Sequence, residues 1–420
     1  MNQTNRGERL QISILGARNA GKSSLINALL GQEAAIISPV AGTTTDPVIK
    51  VMELHPLGPV TLVDSAGIDE DESALGRARA ERSLAELPRS DLIIILIDAA
   101  CVRENLPMAD SLLKRARAHA VPCILALNKC DLSGDGGGAA EEILRAHIGA
   151  EGPQAKDPKA EAPQIARISA REGDGIAELR NALTAILGAA GERASLVEGL
   201  LPAGGLALLV LPIDSSAPKG RLILPQVQTM RAILDKGASF AGTQTHTLRQ
   251  CLSALGRKPD IVITDSQHFA EVTAILPPEQ ALTSFSILFA RAKGDLDTLT
   301  RGAAALSALK AGDRVLIAEA CSHHAQDDDI GTVKIPRMLR EKCGADLIIE
   351  KCSGRDFPEN LTDYRVIIHC GSCMLTARET RARIARAAEA GAAITNYGIT
   401  IAWRFGILER ALAPLTGPVQ

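Results

Sequence analysis

Aromatic residues are scarce in this chain: one Trp, two Tyr and six Phe make up 2% of its 420 residues. Its cores therefore have to be filled by Leu, Ile, Val and Ala. An excess of charge of one sign is missing too, the formal net charge being −3 at pH 7. So even a balance gives no electrostatic reason to expect nucleic acid or an anionic membrane as the main partner. A Lys/Arg-rich tail, which would favour RNA, is also lacking. The longest apolar runs, Leu92–Ala100 and Leu206–Ile213, fall far short of a membrane span. The first ten residues are polar and have no apolar stretch, so no signal peptide is expected and a cytoplasmic location follows. Nine cysteines in such a chain point to thiol and metal chemistry, not to a disulfide framework.

What is present is globular in composition, with 46% hydrophobic and 23% charged residues. The length exceeds one ordinary core, so two or three domains are expected. From Leu10 to about Gly188, β-type runs alternate with helical stretches. Strands read at Leu10–Leu15, Val48–Leu54, Val60–Asp64, Leu92–Asp98, Cys123–Asn128 and Ile165–Ser169. Runs this continuously apolar suit a doubly wound α/β sheet buried on both faces. Gly134–Gly138 and Glu151–Pro163 read as surface loops. A second unit offers a strand at Leu206–Ile213, a helix opening near Pro225, a helical stretch at Thr247–Arg257 and a strand at Asp260–Thr264. It holds no cluster of chemically active residues, which favours a structural or association module. A third unit shows strands at Ser286–Ala290, Arg314–Ala318, Leu347–Glu350, Arg365–His369 and Ala393–Asn396, with a helix at Ala377–Ala390. The fold expected is α/β in three domains: residues 1–192, 193–278 and 279–420, the first a P-loop GTPase and the others smaller α/β units.

Gly16-Ala-Arg-Asn-Ala-Gly21-Lys22-Ser23 fits G-x-x-x-x-G-K-[ST] between a strand and a helix, the context that motif requires. Its backbone N–H groups can close around phosphates, with Lys22 reaching the β- and γ-phosphates, Ser23 on Mg²⁺ and Ser24 beside it. A chance glycine-rich turn would explain this motif alone, but three further elements follow in order. Asp64-Ser-Ala-Gly67 ends a strand, placing a carboxylate for water-mediated Mg²⁺ contact and the Gly67 amide for the γ-phosphate. Asn128-Lys129-Cys-Asp131 supplies a carboxylate at Asp131 that accepts from N1–H and the 2-amino group of guanine, donors that adenine lacks. Ser169-Ala170 follows the last strand, where a backbone amide can meet guanine O6. In Gly42-Thr43-Thr44-Thr45, Thr44 is the candidate for the second Mg²⁺ hydroxyl. These residues resemble the TrmE–Era branch of translation-factor-like GTPases. Ile68 stands where Ras-like proteins carry a water-orienting Gln, so slow intrinsic hydrolysis is expected. The resemblance also implies that Asn19 helps bind a K⁺ ion, which would neutralise developing charge as an arginine finger does. The alternative for Asn19 is a solvated loop amide.

Near the end of the chain stand Cys321-Ser-His323 and, after 45 residues, His369-Cys370-Gly-Ser-Cys373. Both follow strands, at the carboxyl edge where open α/β sheets bind ligands. Three thiols and two imidazoles in this pattern signal metal binding. Thiolates hold iron–sulfur clusters, and histidine can replace one of them, but Cys₃His is equally a tetrahedral zinc site. His324 and Asp327–Asp329 are alternative donors or a solvated acidic loop. Cys352 and the other cysteines read as buried small hydrophobes or incidental thiols.

Taken together, the chain resembles the HydF family of [FeFe]-hydrogenase maturation GTPases over nearly its whole length. Cys321, His323, His369, Cys370 and Cys373 match the family's C-x-H and H-C-x-x-C pattern, and Lys334-Ile-Pro336 and Thr395-Asn-Tyr-Gly398 look similar as well. The resemblance implies a homodimeric scaffold whose three cysteines anchor a [4Fe–4S] cluster, with His323 or His369 the candidate labile fourth ligand. It implies a transient two-iron precursor built with the radical-SAM maturases HydE and HydG and passed to apo-hydrogenase. The competing reading is an Era- or TrmE-like GTPase in RNA modification or ribosome assembly with a structural zinc site.

Overall fold

The structure, a computed structural model, describes residues 7, 9–31, 48–65, 81–150, 163–189, 195–213, 222–320, 329–343, 346–354 and 357–416. It divides into two compact units, Met1–Glu192 and Arg193–Gln420.

In the first unit, β1 (Leu10–Gly16), α1 (Lys22–Leu30), β2 (Val48–Leu54), β3 (Gly58–Asp64), β4 (Leu92–Asp98), α2 (Val102–Ala118), β5 (Cys123–Asn128), α3 (Gly138–Ala150), β6 (Gln164–Arg167) and α4 (Ile176–Ala189) follow in order. The six strands lie in the order β2-β3-β1-β4-β5-β6, with only the β2–β3 pairing antiparallel. Strand β4 shows why the apolar runs are continuous. Leu92, Ile94 and Leu96 enter one core with α1 and α4, while Ile93, Ile95 and Ile97 enter another with α2 and α3. Side chains alternate between faces along a strand, so a sheet covered on both sides needs an apolar residue at every position. All the expected strands of this unit form, with ends shifted by at most two residues. Of the expected loop at 151–163, residues 151–162 lie outside the described residues.

In the second unit, β7 (Leu206–Val210), α5 (Leu224–Asp235), β8 (Ser239–Thr243), α6 (Leu248–Ala254), β9 (Ile261–Thr264), α7 (Phe269–Thr273), β10 (Leu282–Ser284) and α8 (Phe285–Lys293) come first. Then follow α9 (Leu296–Ala303), β11 (Arg314–Glu319), α10 (Ile335–Cys343), β12 (Ile348–Ser353), β13 (Val366–His369), α11 (Ala377–Glu389), β14 (Ala393–Asn396), α12 (Tyr397–Arg404) and α13 (Leu408–Thr416). They build two four-stranded parallel sheets, β10-β9-β7-β8 and β12-β11-β13-β14. No helix among the described residues is long and apolar enough to cross a membrane.

One expected strand is wrong. Ser286–Ala290 is helical, within α8, because Ser284 Oγ caps that helix by accepting from the Ile287 amide at 3.3 Å. Phe285 and Leu288 of α8 enter the core on one face of the first sheet, whereas Ile287 and Ala290 enter the core shared with the second. A helix buried on two sides loses the amphipathic period that distinguishes it from a strand. The three residues just ahead, β10, pair with β9 in the first sheet, Leu282 opposite Val262. Strands β8 and β10 carry too little apolar pattern to be read from sequence: one is Ser-Phe-Ala-Gly-Thr and the other is three residues long.

Candidate functional site

The loops that follow β1, β5 and β6, with Asp64 at the end of β3, gather the expected nucleotide residues at the carboxyl edge of the first sheet. Gly16 ends β1 opposite Leu96, and a Cβ there would stand 2.4 Å from the Leu96 carbonyl oxygen. Gly21 precedes α1 with φ of 96°, and a Cβ on it would meet Asn128 Nδ2 at 2.3 Å. Both glycines are thus required by close approach. Asn128 uses that proximity: Nδ2 donates to the Ala20 carbonyl at 2.8 Å, and Oδ1 accepts from the Ala170 amide at 2.9 Å. One amide side chain therefore ties the phosphate loop to the Ser169-Ala170 loop. Lys22 is buried and donates to the Gly16 and Ala17 carbonyls at 3.0 and 2.7 Å. Ser23 Oγ donates to Asp64 Oδ2 at 2.8 Å, so the two expected Mg²⁺ donors are already side by side. Burial pushes the Asp64 carboxyl above its usual range, although Ser23, Lys22 and Lys50 pull the other way. A divalent cation there would reverse that balance.

Lys129 has φ of 64°, and its Nζ donates to Asp98 Oδ2 at 2.6 Å. Asp98, at the end of β4, is a site residue the sequence reading missed; its signal was a carboxylate closing the apolar run Leu-Ile-Ile-Ile-Leu-Ile. Asp131 and Asn19 are exposed, Asp131 in the short 3-10 turn Cys130–Leu132 and Asn19 in the phosphate loop with φ of 61°. Ser24 is exposed in the first turn of α1, and Ser169 is buried with its Oγ accepting from the Glu172 amide at 3.1 Å. Thr44, Gly67 and Ile68 lie outside the described residues.

The second constellation lies at the carboxyl edge of the last sheet. Cys370 follows β13, its amide donating to the Ala318 carbonyl at 2.9 Å. Its sulfur is buried and accepts from the Ala320 amide at 3.1 Å. Ser372 turns the chain with φ of 56°, which places Cys373, partly exposed, on the same turn. Burial pushes the Cys370 thiol up to about 11 and raises Cys373 as well, where Lys293 works against it. Lys293 Nζ donates to the carbonyls of Ser372, Cys373 and Leu375. Cys321, His323, His324, Asp327 and Asp328 lie outside the described residues. Among the described residues no group of three or more His, Cys, Asp or Glu side chains forms a metal cage.

His369 is buried beside the same turn. It is 3% exposed, with Nδ1 3.0 Å from the Cys370 carbonyl and 3.2 Å from Ser372 Oγ, and Nε2 3.3 Å from Arg383 Nη1. Arg383 also pairs with Glu379 at 3.1 Å and donates to the Gly354 carbonyl at 2.7 Å. Burial, and then the Arg383 charge, push the imidazole down to about 4, so it is neutral at pH 7 and braces the turn from behind. Arg383 escaped notice because an arginine on the buried face of α11, alongside Thr380, Ile384 and Ala387, stands out only once that face is known.

The strand order of the first unit and its set of loops define the class: a P-loop GTPase domain, and residues 11–129 match the family model described as 50S ribosome-binding GTPase. Residues 196–294 match the hydrogen maturase F dimerization domain and residues 297–414 the hydrogen maturase F tetramerization domain. The chain belongs to the hydrogen maturase F family. Among individual relatives, the tRNA modification GTPase MnmE of Burkholderia mallei is 35% identical over 181 residues, 43% of this chain and 35% of that protein. The MnmE of Paraburkholderia xenovorans is 33% identical over the same shares. The chain thus spans about a third of the length of the curated relatives it matches. Among solved structures, Era from Aquifex aeolicus bound to GDP and AlF4⁻ aligns with a TM-score of 0.33 and 26% identity, over 42% of this chain and 56% of that one. The FeoB G-domain from Methanococcus jannaschii aligns with a TM-score of 0.29 and 22% identity, over 43% of this chain and 97% of that one.

Proposed function

We propose that this chain is a GTP-hydrolysing scaffold that carries an iron–sulfur cluster and delivers the two-iron part of the [FeFe]-hydrogenase active site to apo-hydrogenase. The observation that carries the reading is the joining, in one chain, of a guanine-nucleotide site to a C-x-x-C turn inside a maturase domain. Lys22 and the phosphate-loop amides would hold the phosphates, Ser23, Thr44 and Asp64 the Mg²⁺, and Asp131 the guanine edge. Hydrolysis would be slow for want of a water-orienting side chain at position 68, and stimulated by K⁺ held near Asn19.

The donor set fits a thiolate-held cluster. Cys370 and Cys373 share one turn, a backbone amide already serves one sulfur, and an ammonium lies behind the other. With Cys321 as third ligand, a cluster leaves one iron with a replaceable ligand, which suits cargo that must dock and later depart. That fourth position would fall to His323, His369, a carboxylate of the Asp327–Asp329 stretch, or solvent. The precursor, bearing CO, CN⁻ and a dithiolate, would come from HydE and HydG, and nucleotide state would bias these contacts through the switch segments. The two domain matches support self-association, with a homodimer as the expected form. The RNA-modification reading rests on relatives matched over 43% of this chain.

The test is transfer. Full-length protein loaded anaerobically with the two-iron precursor should activate apo-[FeFe]-hydrogenase, read as hydrogen evolution, and Cys370→Ala should abolish it. Equal activation by the variant would overturn the proposal.

A further inference from the structure

Lys293 belongs neither to the nucleotide site nor to the expected ligand set, yet it contacts the thiol turn directly. It is the last residue of α8, and its ammonium donates to three carbonyl oxygens in one short stretch: Ser372 at 3.3 Å, Cys373 at 3.2 Å and Leu375 at 2.9 Å. An ammonium carries three protons, and here three acceptors converge on it. One of them belongs to Ser372, whose left-handed backbone is disfavoured for a residue with a Cβ. The charge also lies 5.3 Å from the centre of the Phe289 ring, one turn back on α8, and that ring is 1% exposed. The cation is therefore held from both sides, by its own helix and by the turn.

Such a charge acts on whatever the turn binds. Hydrogen-bonded surroundings and fixed charge tune the potential of a thiolate-held cluster, and a cation beside it favours the form carrying the extra electron. The position has a second consequence. Lys293 lies within the segment matching the dimerization domain, whereas the turn lies within the segment matching the tetramerization domain. The charge on the cluster turn is thus supplied across the boundary between the two matched domains, inside one compact unit.

We infer that Lys293 is a positioning residue for the cluster: it holds the Cys370–Cys373 turn in its ligating shape and raises the reduction potential of the bound cluster. This rests on the cluster reading above. The experiment compares full-length wild type with Lys293→Arg, Lys293→Gln and Lys293→Met after anaerobic reconstitution, by iron and sulfide content, redox titration and EPR of the reduced state. Gln and Met are expected to shift the midpoint to more negative potential and alter the EPR signal, and Arg to restore both. Should Met fail to fold, Gln, which can still donate to the carbonyls but is uncharged, carries the comparison. Loss of the cluster from Gln and Met with retention in Arg also supports the inference. A cluster-bearing wild type whose Gln variant has the same potential and spectrum overturns the role of Lys293 and leaves the cluster reading intact, as does cluster loss from all three variants alike. A wild type that takes up no iron and sulfide sinks both.

Discussion

At Asp64, a half-buried carboxylate lies beside Ser23, Lys22 and Lys50, and its loss of solvent outweighs their pull. Because its folded pKa is raised, the native state keeps this proton longer than the unfolded chain does, and stability is lost as pH rises through that range. Asp64→Asn should therefore leave thermal stability in metal-free buffer at pH 7 unchanged or slightly higher, while weakening Mg²⁺-dependent GTP binding by on the order of tenfold or more. Calorimetric titration with and without Mg²⁺ checks this; equal affinities would contradict it. His369 has the opposite dependence. Its folded value of about 4 lies below the ordinary 6.5, so the native state refuses a proton that the unfolded chain accepts. Its stabilising contribution is complete above pH 6.5 and is lost as pH falls toward 4, up to about 3 kcal/mol in all. Denaturant titrations of the metal-free protein between pH 7 and 4 should show that slope, and His369→Gln should flatten it. Gly21 and Asp64 were legible in the sequence because each obeys a strict local demand, a glycine where Asn128 leaves no room for a Cβ and a carboxylate at a strand end, whereas Asp98, also at a strand end, was passed over. Arg383 and Lys293 obey no local pattern; their partners lie on other elements, so only the fold reveals them.

Among the elements, the parallel strands of the first unit were readable because burial on both faces leaves a continuous apolar run. The same signal misled at α8, where burial on two sides makes a helix look like a strand. Helix α9 gives a sharper test of element packing. A Cβ on Gly302 would meet the Ile394 carbonyl oxygen of β14 at 1.9 Å, with the carbonyl carbon at 2.5 Å. Helix propensity alone favours Gly→Ala by about 1 kcal/mol. Here the clash is with backbone, so Gly302→Ala should instead destabilise by about 1–3 kcal/mol as α9 is forced off the sheet. Chemical denaturation followed by circular dichroism would settle the sign.

For the whole molecule, the division into a GTPase unit and a second unit with two parallel sheets gives each of the two proposed chemistries a sheet of its own. The phosphate loop follows one such strand end, β1, and the Cys370–Cys373 turn follows another, β13. The proposed coupling of nucleotide state to cargo transfer requires that the second site hold an inorganic cluster at all. The most direct measurement is the iron, acid-labile sulfide and zinc content of the full chain after anaerobic reconstitution, for wild type and for Cys321→Ala, Cys370→Ala and Cys373→Ala. About four irons and four sulfides per wild-type chain are expected, sharply reduced in each variant. Stoichiometric zinc without sulfide, or full iron retained by all three variants, would contradict the cluster proposal.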